Sequence, residues 1–158
     1  MAHLSIELTR QQKTFRANLL TQQAPKTVAG ITQMLSRQPV RGLSYHSIYS
    51  GQEFYVYCPP VPLPLENHIV WPKPGQILYY YFPENTYAGM HVHQGRVQGD
   101  GAEIALWYGH GDLRVVTEAG IRGNLFAEIV PEQLDEFHQA GDHILAHGRE
   151  DVVISLID

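Results

Sequence analysis

At 158 residues with 44% hydrophobic content, the chain is long enough to bury one core. Its net charge of −5, with eleven scattered Lys and Arg residues, excludes the concentrated basic surface that nucleic-acid binding requires. The single cysteine, Cys58, allows no internal disulfide, and no apolar run approaches the ~20 residues of a membrane-spanning helix. Fourteen glycines, ten prolines and nine tyrosines favour a turn-rich β protein. The N-terminus enters a strand-like Leu4-Ser5-Ile6-Glu7-Leu8 without a basic-then-apolar leader. A single cytoplasmic domain over 1–158, with neither nucleic-acid nor membrane partner, is the expectation.

In chain order, residues 3–10 alternate Leu4, Ile6 and Leu8 against polar neighbours and predict a first strand. Residues 14–20, with Phe15, Ala17 and Leu19 on one face, predict its hairpin partner. Pro25 then suits the first turn of a helix, and Val28, Ile31, Met34 and Leu35 follow as one apolar stripe. Ala24 is a poor cap for that helix. Residues 43–49 and 54–58 predict another strand pair around Ser50-Gly51-Gln52. The run Pro59-Pro60-Val61-Pro62-Leu63-Pro64 has too few backbone donors for a central strand and predicts an extended loop. Residues 68–71 and 76–82 predict strands, and the glycine-rich stretch 83–102 predicts a long insertion. Strands over 103–108 and 113–117 are expected around a Gly109-His110-Gly111 turn, followed by one over 124–130. Pro131 opens a second helix whose buried side would be Leu134, Phe137, Ile144 and Leu145, with Gly141 as its weak point. Residues 152–157 predict a final strand. About eight short strands and two helices predict a mainly β fold, a closed barrel capped by the helices.

Several segments resemble the cyclophilins. Ala24-Pro25-Lys26-Thr27 between strand and helix is similar to their opening unit. Tyr45-His46-Ser47-Ile48-Tyr49-Ser50-Gly51 resembles the cyclophilin segment that runs Phe-His-Arg and reaches Pro-Gly. Gly123-Asn124-Leu125-Phe126 resembles Gly-Ser-Gln-Phe near the end of that fold. Ser47 stands where those enzymes carry the arginine that polarises the prolyl amide, and Tyr55 where they carry a pocket glutamine. A serine hydroxyl cannot replace a charged, forked guanidinium, so prolyl isomerase activity is not expected. With Glu66-Asn67, Trp71-Pro72-Lys73-Pro74-Gly75 and Gly123-Asn124, the chain resembles the uncharacterised bacterial and archaeal cyclophilin-like families. That resemblance implies a closed cyclophilin-like β-barrel. Barrels of this superfamily within amide- and carbamoyl-processing enzymes imply a small-molecule role.

The expected ligand groove is lined by Tyr45, His46, Tyr55, Glu66, Asn67 and Asn124. The tyrosines, Tyr57 included, would supply aromatic walls, and His46 and Glu66 are the titratable pair nominated for proton transfer. Ordinary strand packing for the tyrosines, a hydrogen-bonded strand position for His46 and turn-stabilising roles for Glu66, Asn67 and Asn124 stand beside that reading. His91 with His93, and His143 with His147, pair at metal-ligand spacing but lack a local third ligand, so neither a metal nor another cofactor is expected. Peptidyl-prolyl isomerisation and a non-catalytic homo-oligomer joined through residues 83–102 are the competing functions.

Overall fold

The computed structural model describes residues 2–83, 99–115 and 122–157. Its chain runs β1 (His3–Leu8), β2 (Lys13–Leu19), α1 (Pro25–Arg37), β3 (Val40–Leu43), β4 (Tyr45–His46), β5 (Gly51–Tyr57), β6 (His68–Ile69) and β7 (Gln76–Phe82). It continues through β8 (Gly101–Gly111), β9 (Gly123–Ile129), α2 (Leu134–His147) and β10 (Asp151–Ile157). The fold is mainly β, as its composition and alternation predict.

The strands form one antiparallel sheet in the order β3-β10-β1-β2-β9-β7-β8-β5-β4, with β6 added beside β9. β3 and β4 stand at opposite ends of that order, yet only Ser44 separates them. Residues 40–46 are thus a single bent strand whose first half pairs with β10 and whose second half pairs with β5. At the bend, the Ser44 amide donates to the Glu150 carbonyl at 2.7 Å, and the Glu150 amide donates to Ser44 Oγ at 2.9 Å. A nearly closed barrel results; the bend divides one strand into β3 and β4, and β6 is a short strand within the predicted 68–71.

The inward residues of β1, β2, β5, β7, β8 and β10, among them Leu4, Ile6, Phe15, Phe54, Ile77, Ile104 and Ile154, form the main core. α1 adds Val28, Ile31, Met34 and Leu35 to it beside β9 and β10, and α2 adds Phe137, Ala140 and Ile144 beside β5 and β8. Leu145, expected on that buried side, is instead exposed. Gly141 does not interrupt α2, because it lies against the Tyr108 ring, where a Cβ would come within 2.1 Å of Cγ. The second helix begins with a 3-10 turn over Pro131–Gln133 before α2.

The expected Gly109-His110-Gly111 turn is not a turn. β8 runs straight through it, and Gly51 pairs with Gly111. Gly111 is small because Trp107 occupies the space: a Cβ there would lie 2.0 Å from the indole Cζ3. Leu113–Val115 is accordingly a 3-10 turn rather than the predicted strand. The predicted insertion ends earlier than expected, since Gly101 and Ala102 already belong to β8. Residues 84–98, including His91 and His93, lie outside the described residues.

Candidate functional site

Alternation along the strands creates a second apolar layer on the sheet face opposite the main core. Leu78, Tyr80 and Phe82 of β7, Ala105 and Trp107 of β8, and Leu125 of β9 pack there with Leu113. Tyr55 and Ile69 complete its margin. Because Phe54 and Val56 point into the main core, their neighbours Glu53, Tyr55 and Tyr57 must face this second layer.

Tyr45 lies opposite Tyr55 in the β4–β5 ladder, with ring centroids 5.7 Å apart in a stacked pair. Tyr57 meets Tyr45 edge-on at 5.4 Å and Tyr55 at 5.9 Å. The Arg149 guanidinium covers the Tyr45 ring at 3.9 Å, and its Nε donates to the Ser44 carbonyl at 2.7 Å. All three tyrosines are half-buried, so their rings form a wall that is accessible at its edge.

Behind that wall are two acids the sequence reading did not single out. Glu103 of β8 lies across from Tyr57 on one side and Tyr80 on the other. It is 8% exposed, and its Oε2 is buried with no hydrogen-bond partner among the described residues. Burial, and secondarily the charge of Glu53, raises its pKa well above the ordinary carboxyl value. Glu53 is 4% exposed and accepts a hydrogen bond from Ser50 Oγ at 2.8 Å. Burial pushes its pKa up to about 7 despite that bond. Ser50 Oγ is in turn hydrogen-bonded to Ser47 Oγ, which also accepts the Ser50 amide at 3.0 Å. Ser47 thus holds the turn that holds Glu53. The Tyr55 hydroxyl, raised by burial and then by Glu103, sits within the field of both acids. Trp107 Nε1 of this layer is likewise buried without a partner among the described residues. One sequence signal could have exposed Glu103: an acid in register with Ala105 and Trp107, at the head of a strand apolar on both faces.

His46 follows Tyr45 and so points the other way, toward the core. Its Nδ1 lies 2.7 Å from the Ser47 carbonyl, which only accepts, so Nδ1 carries a hydrogen and donates. Its Nε2 is hydrogen-bonded to the Tyr108 hydroxyl, 2.7 Å away. Both ring nitrogens are engaged.

Glu66, Asn67 and Asn124 come together elsewhere, at the start of α1. Ala24 gives no side-chain cap, and Glu66 supplies it from the end of the proline loop. Its carboxylate accepts the Thr27 amide at 2.8 Å, the Thr27 hydroxyl at 2.9 Å and the Lys26 amide at 3.3 Å. Partial burial works to raise the Glu66 pKa, but the Thr27 and Lys26 donors outweigh it and hold it below the ordinary value. Asn124, 3% exposed, accepts the Glu66 amide at 3.0 Å and donates to Thr27 Oγ1 at 3.1 Å and the Pro64 carbonyl at 2.8 Å. Asn67 takes a left-handed φ of 45 and donates to the Leu125 carbonyl at 2.8 Å. The proline loop is fastened further by Tyr79, whose hydroxyl accepts the Val61 amide at 2.7 Å and donates to the Val61 carbonyl at 2.8 Å. The six groove residues therefore fall into three settings: Tyr45 and Tyr55 on the aromatic wall, His46 on Tyr108, and Glu66, Asn67 and Asn124 at the start of α1.

His143 and His147 stack at 4.2 Å on the exposed side of α2. Among the described residues, no three His, Cys, Asp or Glu side chains gather as a metal site requires. Cys58 is a free, half-buried thiol whose pKa burial, and then Glu103, pushes up. No helix among the described residues is long and apolar enough to cross a membrane.

A family model described as a protein of unknown function, DUF3830, matches residues 6–156. The chain belongs to the DUF3830 family. No curated protein matches this DUF3830 sequence. Among solved structures, McbB in complex with tryptophan is similar in fold, with a TM-score of 0.63 at 16% identity. The match covers 96% of the DUF3830 chain and 44% of McbB, so the chain spans less than half of that protein's length. At this identity the likeness is one of fold.

Proposed function

We propose that this DUF3830 protein is a small-molecule-binding protein on a cyclophilin-like barrel, with its ligand against the aromatic wall of Tyr45, Tyr55 and Tyr57. The observation that carries this reading is the carboxyl of Glu103, buried behind that wall with an oxygen that no group among the described residues satisfies. Native proteins seldom leave such a group orphaned, because it forgoes about 1–3 kcal/mol or more of hydrogen bonding. A mostly apolar surface with a few convergent polar groups is the usual composition of a ligand site. McbB, of similar fold and in complex with tryptophan, supports an aromatic small molecule as the ligand class. In this reading Glu103 is the group placed for proton exchange. His46 and Glu66 are committed to the Tyr108 hydroxyl and to the start of α1, and Asn67 and Asn124 hold the proline loop. Prolyl isomerisation is set aside because Ser47, in place of the cyclophilin arginine, is occupied with Ser50.

A thermal-shift screen of aromatic amines, acids and amides, with a prolyl peptide alongside, tests the reading. A ligand at 100 times its Kd adds about 2.7 kcal/mol. For a domain of this size that raises Tm by roughly 5–10 °C. The shift is expected to disappear in Tyr55→Leu and to survive in His46→Gln. No shift with any aromatic compound, or prolyl isomerisation at cyclophilin levels, would overturn it.

A further inference from the structure

Resting on the binding reading above, we infer that the ligand carries a positively charged nitrogen that docks on the Glu103 carboxyl, with its apolar body against Tyr55 and Tyr57. The surroundings of Glu103 select that charge. Among the described residues, the ionisable groups around it are Glu53, Tyr55 and Tyr57 of β5, Cys58 at its end, and Tyr80 of β7. Every one is neutral or negative when it titrates. Among the described residues, neither Glu53 nor Glu103 takes part in an ion pair. A second carboxylate brought here would meet two acids and the negative faces of aromatic rings. An ammonium would meet an acceptor and ring faces that attract it.

The buried oxygen supplies the geometry. An ionised carboxylate only accepts hydrogen bonds, and an ammonium only donates them, up to three. Among the described residues, Glu103 has a buried oxygen without a donor, and the residue lies across the ladder from half-buried Tyr57. An apolar residue at this position would pack beside Ala105 and Leu78 without the desolvation penalty of a carboxyl. The acid therefore needs a reason outside the fold, and a cationic ligand provides one.

Charge balance gives the inference a signature. Burial raises the pKa of Glu103 and so favours its protonated form in the free protein. Docking R–NH3+ converts the carboxyl to a carboxylate paired with the ammonium, and the displaced proton leaves to solvent. Affinity for the cation should then rise by about tenfold per pH unit while free Glu103 remains protonated.

The probes are 2-phenylethylamine, its uncharged N-acetyl derivative and 3-phenylpropionate, titrated calorimetrically at several pH values and in buffers of different ionisation enthalpy. The inference expects the amine to bind best, to release close to one proton, and to lose at least about tenfold in affinity in Glu103→Gln. The N-acetyl compound should be indifferent to that substitution. Glu103→Leu gives the same comparison, and a thermal melt of each variant confirms that it folds. Equal binding of amine and N-acetyl compound, with no proton release, would overturn the cationic ligand and leave the binding reading intact. Binding of none of the three at millimolar concentration would overturn both.

Discussion

The carboxyls of Glu66 and Glu103 belong to one chain and meet opposite surroundings. Glu66 receives three donors, and every polar group around it, from Thr27 to Asn124 to Pro64, has a partner. Its ionised form is held below the ordinary pKa. Glu103, and Glu53 despite its Ser50 bond, are carboxyls that the fold pushes toward their protonated forms. The first cluster spends its polarity on joining a proline loop to a helix. The second keeps polarity in reserve beneath an aromatic wall. Protein structures use fully satisfied buried networks to specify shape, whereas unsatisfied ones mark strain or function.

Substitutions can break this contrast. The largest effect is expected from Asn124→Ala, which removes the acceptor of the Glu66 amide and the donor to Thr27 and Pro64. A loss of about 4 kcal/mol by urea denaturation is expected, against little or no loss for Glu103→Gln. Next is the pH response of Glu53. Its folded pKa of about 7 lies above the unfolded value of 4.5, so the native state holds more protons than the unfolded state between those limits. Stability should therefore be complete below about pH 4.5 and fall as pH rises toward 7. The amount is about 3 kcal/mol at 1.36 kcal/mol per pKa unit, and Glu53→Gln should flatten that part of a stability–pH curve. Glu66→Gln is smaller. It keeps an acceptor but loses the charge at the start of α1, and about 1 kcal/mol is expected at pH 7, shrinking as acid protonates the native carboxylate. The smallest is Arg149→Gln, which should lose about 0.5 kcal/mol of exposed cation–π contact with Tyr45 and leave both clusters intact.

The elements legible in the sequence were those where a single local rule decides. Pro25 and its apolar stripe delimit α1 within a residue, and the alternation of β1, β2 and β10 maps onto their paired faces. Glycine misled because two different physical needs share one residue. At Gly111 it makes room for Trp107 inside a strand, and at Gly141 room for Tyr108 inside a helix, and neither need is visible without the partner in space. At the site, Tyr45 and Tyr55 follow from cross-strand pairing, and adjacent His46 necessarily faces away. The cap that Ala24 lacks comes from Glu66, 40 residues after the Lys26 amide it accepts. No local pattern encodes such a reach. Glu53 and Glu103 are invisible for a related reason: alternating strands tolerate acids on a solvent face, and only the second layer makes this face a buried one.

The bent strand at Ser44 also dictates when the barrel can close. Its halves wait for partners on both sides, and one of them, β10, also supplies the second neighbour of β1, so Leu4 meets Leu156 and Ile6 meets Ile154. Most of the ring must therefore assemble through contacts far apart along the chain, and until residues 151–157 emerge from the ribosome both β1 and β3 expose unpaired edges. Topologies dominated by such distant pairings fold on the order of milliseconds to seconds rather than microseconds. During synthesis, these strands stay open until β10 locks two of them at once.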